Sequence, residues 1–121
     1  MSGERGSGTV TSIAMIALMM VFLVVIGGLI TVASANQRAL AAADLAALAA
    51  ADTARGLTTG EPCTVAASIA AANRATLVGC AQPGGRAGTV DVRVTVDIPG
   101  AYAWVGPAAG IARAGPPPGK K

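Results

Sequence analysis

From Val10 to Ala35 the chain runs 26 residues without a charge, as VTSIAMIALMMVFLVVIGGLITVASA. Wound as an α-helix, this stretch is roughly 39 Å long, enough to cross a hydrocarbon core of ~30 Å with some tilt. A buried helix of a soluble protein is the competing reading, and it fails on size. The whole chain has 121 residues, of which only 2% are aromatic, so too little bulk is left to surround such a helix. Residues 10–35 therefore read as a membrane segment. Thr11, Ser12, Thr31 and Ser34 lie near its ends, where polar groups meet headgroups, and the pair Gly27–Gly28 permits close helix approach.

The flanks leave several fates open. Ala33-Ser34-Ala35 followed by Asn36 has the small-residue pattern that signal peptidase cuts, which would release a secreted domain. Against that, the apolar run is about twice the usual 7–15 residues of a signal core, and the segment before it has almost no net charge. Retention as a permanent anchor is the alternative. Lysine and arginine are too balanced on the two sides for the positive-inside rule to orient the span.

Beyond the span, residues 36–56 contain no Pro or Gly before Gly56 and are built mostly from Ala, with Leu40, Leu45 and Leu48 as the large apolar side chains. These are strong helix formers, so the membrane helix is expected to continue unbroken to about Arg55, with Gly56 ending it. Small residues let a neighbouring helix come close, which makes Gly27, Gly28, Leu40, Leu45 and Leu48 the candidate helix-packing positions. An Ala-rich face packing on the chain's own small domain is the other use of the same surface.

The block Arg38-Ala-Leu-Ala-Ala-Ala-Asp44-Leu-Ala-Ala-Leu-Ala-Ala-Ala, after an apolar span and a short Arg5-Gly6-Ser7 lead, resembles the TadE/TadG-like proteins. These are minor pilins, or pseudopilins, of the Flp (Tad) branch of type IV pilus systems. Ala112 to Pro116, reading Ala-Arg-Ala-Gly-Pro, is similar to the ending of the short actinobacterial TadE-like group found beside a helicase and secretion genes. The resemblance implies a leader cut by prepilin peptidase between Gly6 and Ser7, with the hydrophobic helix retained. It also implies other pilin-like subunits or assembly proteins as partners. Where pilins carry a Glu at the fifth residue after the cut, this chain has Thr11.

Cys63 and Cys80 are the only cysteines, and beyond a membrane span they suggest one structural disulfide in an oxidising compartment. That places the part after residue 36 outside a plasma membrane crossed once. Thr64 is expected to cap a short helix with Val65, Ile69 and Ala72 on one face. Residues 77–81 and 89–98 read as an antiparallel β-hairpin around the turn Gln82–Gly88. In the second strand Val90, Val92, Val94, Val96 and Ile98 alternate with Asp91, Arg93, Thr95 and Asp97, so one face is apolar and one polar. Tyr102 and Trp104, the sole Tyr and Trp, would share a face if extended, and their expected uses are packing on the domain, the membrane surface or a partner.

The expected architecture is α+β. Residues 1–9 form a leader, 10–35 a transmembrane helix, 36–56 an Ala-rich extension, 57–112 a disulfide-stapled helix and β-hairpin head, and 113–121 a disordered basic tail. The net charge of +3 resides in that tail, in Arg113, Lys120 and Lys121, since the six arginines and six acids of residues 1–100 cancel. Such a distribution, with few aromatics, is no nucleic-acid surface. With no His, and only two thiols, the chain lacks the parts for a Ser-His-Asp device or a four-ligand zinc site. No enzyme, cofactor or metal is expected. The leading expectation is a pilin-like membrane subunit. The secreted domain cut after Ala35 and the permanently anchored accessory protein stand as alternatives.

Overall fold

The computed structural model describes residues 2–84 and 87–116, with side chains from residue 6 onward. Arg86 and residues 117–121, the greater part of the expected tail, lie outside the described residues. One helix, α1, runs unbroken from Ser2 to Ala54. It ends as Gly56 suggests: Gly56 takes φ 79°, its N–H bonds Thr53 O at 3.0 Å, and Leu57 N–H bonds Asp52 O at 2.9 Å. This is the Schellman closure, which satisfies the last carbonyls and favours a residue without a Cβ.

A second helix, α2 (Pro62–Ala72), starts two residues before its expected cap. Glu61, not Thr64, caps it. The Glu61 carboxylate accepts from Thr64 N–H at 2.8 Å and from the Thr64 hydroxyl at 3.0 Å. Pro62 at the first helical position needs no N–H partner, which suits it to follow such a cap. The buried face of α2 is Ala66 and Ala70, with Ile69 partly covered, while Ala72 is exposed. These backbone and hydroxyl bonds hold the Glu61 carboxyl below its usual range. The carboxylate therefore stabilises the fold above the ordinary Glu range near pH ~4.3, and that increment disappears as pH falls through its lowered value. Glu61→Gln should narrow the gap between melting temperatures of the full chain measured in micelles at neutral pH and at about pH 3. An unchanged gap would remove Glu61 from the acid response.

Three antiparallel strands complete the head: β1 (Thr76–Ala81), β2 (Val90–Val96) and β3 (Ala108–Ala114), in the order β1-β2-β3. The expected hairpin is thus two-thirds of a meander. Val92 lies opposite Cys80 on one side and Ala112 on the other. Arg113, expected in the tail, is instead a strand residue facing Asp91, and its Nη2 donates to Asp91 Oδ2 at 2.8 Å. Those bonds raise the Arg113 guanidinium above its ordinary value.

The alternation in β2 is realised as expected, with Val90, Val92, Val94 and Val96 buried and Ile98 continuing the row. These side chains cover an alanine face of α1 made of Ala35, Ala39, Ala42, Ala43, Ala46, Ala47 and Ala50. Burying each valine contributes on the order of 1.5 kcal/mol. Cys63 and Cys80 are bonded, with their Cα atoms 5.8 Å apart, and so tie α2 to β1. Closing that loop adds roughly 3 kcal/mol on the chain-entropy account, a large share for a head of this size.

Candidate functional site

The candidate functional surface of this chain is α1, and it changes character along its length. Large apolar side chains from Val10 to Ile30 are between 49% and 67% exposed, so apart from Gly28 this stretch is uncovered. An 18-residue window within it reaches a mean hydropathy of 3.0. A helix that is apolar all round and uncovered belongs in lipid or among other helices. Its hydroxyls are turned inward: Thr11 Oγ1 donates to Ser7 O at 2.8 Å, Ser12 Oγ to Gly8 O at 3.0 Å, and Thr31 Oγ1 to Gly27 O at 2.9 Å. Bonded to their own backbone, they bring little unsatisfied polarity into hydrocarbon.

The candidate processing residues Gly6 and Ser7 sit exposed in the first turns of α1, and no neighbour comes within 4 Å of a Cβ placed on Gly6. Thr11 stands one turn further on, with its hydroxyl on the Ser7 carbonyl.

The two glycines separate. Gly27 faces open space, whereas a Cβ on Gly28 would lie 2.7 Å from the Tyr102 ring. Tyr102 OH donates to Val24 O at 3.0 Å, so the head reaches back onto the apolar run. Gly28, Val32, Ala35 and Ala39 then continue as one stripe beneath the head at spacings of four, three and four. The close approach at Gly28 in this structure is made by the chain's own Tyr102.

Leu40, Leu45 and Leu48 point away from the head, at 44%, 48% and 56% exposure. The extension therefore has two surfaces. Its alanines are spent on the head, and its leucines remain outward, interleaved with Asp44. Tyr102 and Trp104 do not share a face, because Gly100–Val105 is a 3-10 helix rather than a strand. At three residues per turn, neighbours two apart diverge: Tyr102 is half-buried on Gly28 and Trp104 is 82% exposed.

Two features escaped the sequence reading. One is β3, whose signal was alternation of size rather than polarity: Ala108, Gly110 and Ala112 inward, Ile111 and Arg113 outward. The other is Gly110, where an added Cβ would fall 2.5 Å from the Ala39 carbonyl carbon and 2.9 Å from Leu40 N. An open hollow of about 450 Å³ lies on the outer sheet face, lined by Asp91, Arg93, Ile111 and Arg113 among others. Among the described residues no group of three His, Cys, Asp or Glu side chains converges.

Residues 6–53 match the family model of the Flp pilus-assembly TadE/G-like proteins. Over this segment the chain is similar to that family. The match begins at Gly6 and ends one residue short of the end of α1, so it takes in both the uncovered apolar stretch and the face that carries the head. The small head, residues 57–116, lies outside it. No curated protein and no solved structure matches the chain. The TadE/G-like match and the uncovered apolar helix together associate the chain with membrane anchoring and with pilus assembly.

Proposed function

We propose that this chain acts as a minor pilin or pseudopilin of a Tad-type pilus or a related secretion apparatus. It carries no catalytic role and works by interaction. The observation that carries the reading is the coincidence of the TadE/G-like match with a helix left bare over its apolar half. In the bilayer that half is solvated by lipid. Assembly replaces lipid with neighbouring helices, and the outward Leu40, Leu45 and Leu48 extend the same contact beyond the membrane. The Cys63–Cys80 bridge supports a head on the extracytoplasmic side of a single-pass plasma-membrane protein.

Release of a secreted domain after Ala35 is less well supported. That cut would remove Val24, Gly28, Val32 and Ala35 from beneath Tyr102 and the lower end of the sheet. Prepilin peptidase is the processing partner in this reading. Thr11 offers no carboxylate to a neighbour's terminal amine, so incorporation relies on apolar packing.

Intact-mass analysis of the native protein from membrane and medium fractions tests this. A chain beginning at Ser7 in the membrane fraction is expected. A chain beginning at Asn36 in the medium would establish the secreted domain instead, and an uncut leader would establish an anchored accessory protein.

A further inference from the structure

The geometry points to a membrane seat for the head: we infer that the outer hydrocarbon boundary lies at Val24–Gly28, with Trp104 and Val105 inserted at the lipid interface. This rests on the membrane-anchored reading of α1 and goes beyond it by fixing the depth of the chain and assigning the 3-10 segment a lipid partner.

Length supplies the first argument. The uncharged part of the sequence extends from Gly6 to Gln37, 32 residues or roughly 48 Å of helix. To hide all of it in a ~30 Å core, the helix would have to tilt by about 50°, outside the usual 0–40°. Even Val10–Ala35 alone requires a tilt of about 40°. The structure shows where the excess goes. The head lies along the upper part of α1, from Gly88 against Arg55, through Gly110 against Ala39, down to Tyr102 on Gly28 and Val24. The twenty residues that end at Ile26 begin at Ser7, just inside the charges Glu4 and Arg5. Twenty helical residues make about 30 Å, the thickness of the core.

The backbone supplies the second argument. Gly100–Val105 is a short 3-10 helix with Ala101, Ala103, Trp104 and Val105 exposed. Irregular backbone with open N–H and C=O groups is not tolerated against lipid tails, where nothing can bond it. The hydrocarbon must therefore stop at this segment. Headgroups, which offer water and acceptors, can meet it.

Side-chain chemistry supplies the third. Trp104 is 82% exposed and Val105 48%, on the part of the head closest to the apolar helix. No charge occurs from Ile98 to Ala112. Tryptophan and tyrosine favour the membrane–water interface, where a flat apolar ring and one polar atom are both accommodated. In this arrangement Tyr102 closes the head onto the helix, and Trp104 faces the lipid beside it.

Trp104 is the only tryptophan, so its fluorescence reports on this contact directly. The full chain is reconstituted in phosphatidylcholine vesicles carrying a quencher either near the headgroup or deep in the acyl chain. Flotation of the vesicles reads the anchor separately. The expected result is blue-shifted Trp104 emission that the shallow quencher reduces more than the deep one. A double variant, Trp104→Phe with Ser34→Trp, moves the reporter to an exposed position about 9–15 Å above the inferred boundary. Its emission should remain water-like and indifferent to both quenchers. Floating vesicles in which Trp104 ignores both quenchers would overturn the seat while leaving the anchor intact. So would quenching of the tryptophan at position 34, which would put the boundary near Ala35. A chain that fails to float would overturn the anchored reading and the seat with it.

Discussion

Lysine placed at both Ile16 and Met20 should release this chain from membranes, while either lysine alone should leave it there. Thirteen large apolar side chains between Val10 and Ile26 stand exposed around α1. At ~0.3–0.6 kcal/mol each, they favour insertion by roughly 4–8 kcal/mol, whereas one lysine near the middle of a span opposes it by about 2.5–3.5 kcal/mol. A single charge is outweighed. Two together come to about 5–7 kcal/mol and cancel most of the driving force. Positions 16 and 20 lie one turn apart on the same face, so the two ammonium groups also repel each other. The check is the fraction of protein recovered in carbonate-washed, floated membranes for the two single variants and the double variant. If the double variant floats as fully as the unaltered chain, this segment does not anchor the protein.

Gly110→Leu should lower the melting temperature of the head by on the order of 10 °C or more. A Cβ at this position would meet the backbone of Ala39 and Leu40, and a helix backbone cannot rotate away as a side chain can. The sheet must lift off α1, and overpacking of this kind typically costs about 1–3 kcal/mol, with more where backbone has to move. For a unit of this size each kcal/mol corresponds to about 4–8 °C. Lifting β3 also loosens the valine row of β2 on the alanine face, so the loss spreads beyond one contact. Gly27→Leu is the matched control, since a Cβ there meets nothing within 4 Å. Thermal melts of the full chain in micelles, followed by circular dichroism, should show a large shift for the first and little for the second. Equal melting of Gly110→Leu and the unaltered chain would mean that the sheet is not seated on α1 as described.

Much of this architecture could be read in advance because its signals are local. The uncharged run, the unbroken Ala-rich stretch closed by Gly56 and the strict alternation of Val90 to Ile98 each constrain a few turns or one strand by periodicity alone. The third strand was harder. Ala108, Gly110 and Ala112 are small where core residues are usually large, so the inward face of β3 carries almost no hydropathy contrast with its outward face. Glu61 likewise carries a weak local signal as a cap. Its longer side chain is a less common choice than Thr, and only the observed bonds to Thr64 reveal it. The packing positions divided in a way that composition does not encode. Gly28 and the alanines were taken up within the chain, while Gly27 and the three leucines were left outward.

The long helix and its bare apolar half follow from local composition alone. A run of 26 uncharged, mostly apolar residues is long enough to cross a hydrocarbon core, and a single segment satisfies its own backbone hydrogen bonds there only as a helix. The valine face of β2 is also local, because a period of two admits only one assignment of inside and outside. Which side of α1 the head occupies, and how far down the helix it reaches, follow only from the folded chain. Those depend on steric fit between distant residues: Gly110 against Ala39, and Tyr102 against Gly28 and Val24. A glycine or a tyrosine looks the same in the sequence whether or not a partner lies opposite it, and only the folded chain brings the two surfaces within contact distance.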